Sequence, residues 1–267
     1  MTAGARTVKT RPTICLSMIV RNEAHIVREV IDAAIPHIDC WVIVDTGSTD
    51  QTIETICWRM AEKGVPGDIH ERPWRDFGSN RTEALDLCRG KADYIWVIDA
   101  DDVAVGDLDL SGLRADSYLL RYGDQFRYWR RQIFRDGLRW RYEGVIHEYP
   151  VCLDPATEER LEGEYYIDSR RLGGRSREAE KYERDALLLR EAVERDPDDA
   201  RSVFYLAQSQ FDTGDYAQAL DSYTRRAGMG GFVEEVFYSL LRRATCLTLL
   251  DEPWDLALAA YLEAWQA

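Results

Sequence analysis

The sequence predicts an α/β protein, a mostly parallel sheet with helices on both faces, followed by an all-α tail. Three observations carry this. Short apolar runs alternate with amphipathic segments from residue 13 to about 100, the pattern of strand–helix–strand units. From Ser117 to Cys152 that rhythm gives way to stretches rich in aromatic residues and arginine, an antiparallel addition. From Ser176 onward the chain reads as helix with an internal repetition. The expected layout is a disordered lead-in over 1–12, a sheet domain over 13–172 and a helical region over 173–267.

The first apolar run, Thr13–Val20, reads as a buried strand, and an amphipathic helix follows from Glu23 to Ile35. Cys40–Asp45 is the second strand. Ser48, Thr49 and Asp50 then open a helix over Thr52–Lys63, because short side-chain oxygens accept from otherwise unpaired first-turn amides. Gly67–Glu71 is a short third strand, Arg81–Arg89 a helix, and Tyr94–Asp99 a fourth strand ending in acid. Arg135-Asp136-Gly137-Leu138 is a hairpin turn joining two strands. In the tail, Tyr216, Ala219, Leu220 and Tyr223 recur 38 residues later as Trp254, Ala257, Leu258 and Tyr261. Phe204–Ala227 resembles a tetratricopeptide repeat, with Ala207, Phe211, Gly214, Tyr216, Ala219, Tyr223 and Ala227 at the expected offsets. The usual period is ~34 residues, and Gly228-Met229-Gly230-Gly231 takes up the surplus. About two repeats are expected. No capping helix follows the second, so the natural chain is expected to extend beyond Ala267, or its last face to pack on a partner.

A formal charge of −14 argues against nucleic-acid binding, which needs a basic surface. A diphosphate ligand on such a protein must be neutralised locally, by a metal or a few arginines. No apolar run has the length of a membrane span and no signal core opens the chain, so a cytoplasmic address is expected. The six cysteines lack paired spacing and read as reduced thiols, and the four histidines show no zinc spacing.

The chemistry gathers at strand ends. Asp99 and Asp101, two apart in an extended segment, point to one side. They suit a shared hard cation, Mg²⁺ or Mn²⁺, at the carboxyl end of a strand, where open α/β sheets bind ligands. Asp45, closing the second strand, can accept from a base or ribose, and Gly47 lets backbone approach closely. Arg21-Asn22-Glu23 gives the first strand a polar end as well. Three such ends make a nucleotide-sized site.

The segments SMIVRNEA (17–24), VIVDTGSTDQT (42–52), NRTEAL (80–85) and YIWVIDADD (94–102), in this order and spacing, resemble family 2 glycosyltransferases of the GT-A fold. More narrowly, the chain resembles the bacterial branch with C-terminal tetratricopeptide repeats, related to bacteriocin peptide S-glycosyltransferases. The resemblance implies metal-dependent transfer from a nucleoside-diphosphate sugar, UDP-linked by the family's habit, with inversion. It implies a donor-binding set of Val20, Asn22, Glu23, Asp45, Gly47, Arg81, Asp99 and Ala100. Glu23 and Asp45 would contact the nucleoside, and Arg81 the nucleotide or its diphosphate. Asp99 and Asp101 correspond to the paired metal-site aspartates. Trp140–Glu148 resembles a W-x-Y-x-G-x-x-H-E segment of this branch. There His147 would complete the metal shell and Glu148 would be the base, with Asp102 a second candidate for the reacting machinery and Glu143 an alternative base. Arg175 would assist Arg81. The aromatic stretch Tyr118–Tyr142 reads either as a hairpin with one buried face or as an acceptor-binding wall. The expected acceptor is a peptide, protein or glycan, and the repeats offer a route to homodimers. Two other readings stand beside this one: a haloacid-dehalogenase-type phosphatase, with Asp99 as nucleophile and Asp101 as acid, and a non-catalytic repeat adaptor.

Overall fold

Residues 11–170, 172–173 and 181–267 are described by a computed structural model. They form two units. One comprises the chain up to Arg75, Ser79–Tyr142 and the segment from Pro150; the other comprises Asp76–Gly78, Glu143–Tyr149 and the C-terminal helices.

In chain order the first unit is built on β1 (Ile14–Val20), α1 (Val27–Ala34), β2 (Cys40–Asp45), α2 (Thr52–Lys63), β3 (Gly67–Glu71), α3 (Phe77–Cys88) and β4 (Tyr94–Val97). Then come β5 (Asp102–Gly106), β6 (Ser117–Tyr122), β7 (Tyr128–Arg135), β8 (Trp140–Glu143), β9 (Tyr149–Cys152), β10 (Glu158–Arg160) and β11 (Tyr165–Ser169). The main sheet runs β3-β2-β1-β4-β7-β6-β11-β5, with β10 beside β6. Its first four strands are mutually parallel, and β7 joins β4 antiparallel. The expected parallel half and antiparallel addition are both present.

Strand β1 is apolar except for the buried Ser17, because both its faces are covered. Leu16 and Met18 join Val30 and Ile31 of α1 and Ile56 and Met60 of α2 on one face. Cys15 points the other way, with Leu85 and Cys88 of α3, Phe134 and Trp140. Successive side chains alternate across a strand, so one apolar run serves two cores.

Three expectations need correcting. The Asp136-Gly137 turn forms, with Gly137 in the left-handed region (φ 87°), but it does not close a hairpin. Both edges of β7 are taken, by β4 and β6, and β8 pairs with β9 instead. The hairpin partner of β7 is β6. Their connection turns at Gly123 (φ 76°), where a Cβ would fall 2.2 Å from the carbonyl oxygen of Phe126. Helix α3 starts four residues before Arg81, at Phe77. The fourth strand stops at Val97: the amide of Asp102 donates to the carbonyl of Asp99 at 3.1 Å, so the acidic cluster is a tight turn and not an extended end.

The second unit contains α4 (Lys181–Arg195), α5 (Ala200–Asp212), α6 (Tyr216–Gly228), α7 (Val233–Leu249) and α8 (Trp254–Gln266), each packed on the next. Asp199 caps α5 by accepting from the amides of Arg201 and Ser202, and Asp215 caps α6 through the amide of Gln218. Ala207, Ala219, Tyr223 and Cys246 meet in one small core, where alanines let the helices approach. No helix among the described residues is long and apolar enough to cross a membrane.

Candidate functional site

The loops after β1 and β2 are laced together by short polar side chains. Asn22 is left-handed (φ 57°), a conformation asparagine tolerates better than most residues. Its amide donates to Ser48 Oγ at 2.9 Å, and its Oδ1 accepts from the amide of Thr49 at 2.7 Å. The amide of Glu23 donates to Thr52 Oγ1 at 2.8 Å. Asp50 sits one residue before the cap position of α2, yet does the capping, accepting from the amide of Thr52 at 3.0 Å. Val20 and Glu23 are buried at this rim.

Asp45 is buried at the end of β2. Its Oδ1 accepts from the amides of Gly47 (2.9 Å) and Ser48 (2.8 Å). Its Oδ2 is also buried and has no hydrogen-bond partner. Gly47 holds φ 107° with open space where a Cβ would stand, so backbone conformation alone demands glycine there.

The acidic turn is divided among different partners. Asp99 faces two cations: Arg81 Nη2 donates to its Oδ1, and Arg130 Nη1 to its Oδ2 at 3.3 Å. Burial pushes the Asp99 carboxyl up, but the guanidiniums of Arg81 and Arg130 outweigh it and hold the group at about 2. Asp101 accepts instead from the amide of Gly173 at 3.0 Å. Ala100, between them, is buried. The expectation that Asp99 and Asp101 act from one side of an extended strand gives way to this turn. Asp102 is fully buried and accepts from the Tyr122 hydroxyl at 2.8 Å, to which Gln132 Nε2 also donates at 2.7 Å. Burial, and then the nearby charge of Asp99, push the Asp102 carboxyl up to about 7.

Arg130 is the residue that sequence reasoning misses. The β4–β7 register pairs Tyr94 with Arg135 and Trp96 with Ile133; continued past the end of β4, it brings Arg130 opposite Asp99. Its guanidinium also lies 4.9 Å from the centre of the Tyr122 ring. From that ring an aromatic line runs outward, 5.3 Å to Tyr128 and a further 6.1 Å to Phe126, which is 82% exposed.

His147 and Glu148 belong to the second unit. His147 is exposed and left-handed (φ 53°), a strain of about 1–3 kcal/mol for a residue with a Cβ. Its ring stacks on Tyr205, centroids 4.0 Å apart and planes 17° from parallel. Glu148 is half-buried. Among the described residues no group of three or more His, Cys, Asp or Glu side chains is placed to hold a metal ion. Arg175 lies outside the described residues.

Several solved structures are similar at low identity. Residues 1–349 of S. aureus TarS, crystallised with UDP-GlcNAc, are 14% identical, with 95% of this chain and 89% of that chain covered and a TM-score of 0.49. The mannosyltransferase PcManGT from Pyrobaculum calidifontis, in complex with GDP-Man and Mn²⁺, is 22% identical over 35% of this chain and 29% of its own, TM-score 0.32. No curated protein matches significantly. Residues 15–115 match the family model described as Glycosyl transferase family 2. That stretch, which holds the ends of β1, β2 and β4 together with Arg81 and the acidic turn, is similar to family 2 glycosyl transferases.

Proposed function

We propose that this chain transfers a sugar from a nucleoside-diphosphate sugar, a UDP-sugar in the first instance, to an acceptor with inversion at the anomeric carbon. In this reading the sheet unit is a GT-A domain and the helices are tetratricopeptide repeats of the branch related to bacteriocin peptide S-glycosyltransferases. One observation carries the proposal. Inside the family-matched stretch, a buried carboxylate with an unpartnered oxygen closes β2, and a carboxylate flanked by two arginines follows β4, with only β1 between those strands.

Each part of a nucleotide sugar then has a counterpart. Asp45 Oδ2 is an acceptor for a base N–H or ribose hydroxyl, and Gly47 allows the backbone close to it. Arg81 and Arg130 supply paired donors suited to a diphosphate. Asp101 carries a single amide bond and so retains lone pairs, and with Asp99 it makes a hard-oxygen set suited to Mg²⁺ or Mn²⁺, with diphosphate oxygens and water filling the shell. Such an ion, when bound, offsets charge on the departing diphosphate. Asp102 fixes the turn through Tyr122. Glu148 removes the acceptor's proton and His147 contributes to metal binding; both roles rest on the sequence motif.

Thermal denaturation with UDP- and GDP-sugars, with and without Mn²⁺, tests this. A sugar nucleotide at a hundredfold excess over its Kd stabilises by about 2.7 kcal/mol, and Asp101→Asn should abolish the Mn²⁺-dependent part. If no sugar nucleotide stabilises the wild-type protein under either condition, the proposal fails.

A further inference from the structure

We propose that Arg201 and Tyr205, on α5, are positioning residues for the His147–Glu148 pair. The proposal rests on the reading of His147 and Glu148 given above.

The loop Glu143–Tyr149 belongs to the helical unit. Ile146 anchors it, buried with Leu189, Val193, Val203 and Leu206. That apolar contact is enough to dock a loop on a helix bundle, but it does not set the direction of the residue that follows. The contacts to His147 do. Its carbonyl oxygen accepts from Arg201 Nη2 at 2.8 Å and from Nε at 3.3 Å, which fixes the peptide plane leading into Glu148. Its ring lies flat on Tyr205, which fixes the side chain. An exposed residue in the left-handed region gains no burial to offset its strain, so its conformation is set by these neighbours.

Arg201 is itself held. Its guanidinium lies 4.8 Å from the Tyr149 ring centre and 5.0 Å from that of Tyr205, and it pairs with Glu235 at 3.5 Å. Glu235, at the start of α7, also accepts from the buried Arg226 of α6 at 2.9 Å, and Arg226 donates onward to the Gly230 carbonyl at 2.8 Å. Three helices thus converge on one loop carbonyl. At the loop's other end Gly144 holds φ 94°, where a Cβ would stand 3.4 Å from Glu148 Cα. Both ends of the turn are constrained.

The test uses the full chain. Its four histidines can be resolved by ¹H–¹³C NMR, with His147 assigned through His147→Gln, and UDP release is measured from UDP-glucose and UDP-N-acetylglucosamine with Mn²⁺. Tyr205→Leu should move the His147 ring resonances downfield as the stacked ring is lost. It should also lower kcat on the order of 10- to 100-fold while the sugar-nucleotide KM holds. Tyr205→Phe, which keeps the stack, should preserve both the resonance and kcat. Arg201→Ala should show the same split between kcat and KM, with partial rescue by Arg201→Lys. An unmoved His147 resonance in Tyr205→Leu, or a moved one with unchanged kcat, overturns the positioning role. Unchanged UDP release in His147→Gln overturns instead the reading of His147 on which the role depends.

Discussion

Two guanidiniums on one carboxylate are more than Asp99 needs for neutrality, and the second makes Arg130 the most informative single residue of the candidate site. Removing it leaves Asp99 with Arg81 alone and strips the only cation paired, at 3.8 Å, with the buried Asp102 among the described residues. Hydrogen bonds to charged groups contribute about 1.5–3 kcal/mol. Arg130→Ala should therefore weaken UDP–Mn²⁺ binding by about one to two orders of magnitude in titration calorimetry, and an unchanged Kd would remove Arg130 from the donor site. Asp102 calls for a different variant. Its carboxyl is pushed up to about 7 by burial, so Asp102→Asn is a near-neutral replacement that keeps an acceptor for Tyr122. Asp102→Ala instead leaves the Tyr122 hydroxyl without its buried acceptor, at about 1–3 kcal/mol. Thermal melts at neutral pH should separate the two variants clearly. Asp45, Gly47 and Asn22 are legible in the sequence because their roles are local, set by strand ends and turns a few residues long. Arg130 is not legible, because its position opposite Asp99 depends on a register between strands more than thirty residues apart.

Among the elements, β1 and β4 are clasped where they begin. Asp93 Oδ2 accepts from both the amide and the hydroxyl of Thr13 at 2.8 Å, and Thr13 Oγ1 accepts in return from the Asp93 amide at 2.9 Å. The Thr13 amide, then its hydroxyl, hold the Asp93 carboxyl below its ordinary value. A depressed acid contributes stability that is fully present above its unfolded pKa, near 3.8, and is lost as pH falls through the lower folded value. Asp93→Asn should thus lower Tm by about 2–4 °C at pH 7, the effect of about 1 kcal/mol. The gap to wild type should close as the pH falls below 4; a gap independent of pH would mean that charge plays no part. The parallel strands and α2 are readable because period and caps are local. The Asp136-Gly137 turn shows the limit. Its chemistry is right for a hairpin, but whether β8 finds an edge on β7 depends on which strands already occupy both sides.

At the scale of the whole molecule, the sequence separates sheet from helices, but nothing in it assigns Glu143–Tyr149 to the helical unit. That assignment comes from Ile146, Arg201 and Tyr205, contacts across some forty to sixty residues. The helical unit also carries an exposed apolar face. Helix α8 turns Ala257, Ala260 and Ala264 inward and leaves Leu258, Leu262 and Trp265 outward, the last 87% exposed, with Trp254 exposed at its start. These residues recur at three- and four-residue steps and form one stripe, and Asp255 and Glu263 are the only charged residues on the helix. Contiguous apolar surface of this kind marks an interaction site or an aggregation liability. A stripe centred on one helix is self-complementary across a two-fold axis. We expect the chain to associate with itself through this face, with a sedimentation coefficient that rises with concentration. Leu262→Glu combined with Trp265→Glu should hold it monomeric without altering UDP release, since neither residue touches the candidate site. A wild-type sedimentation coefficient that stays monomeric at every concentration would show that α8 serves some other surface.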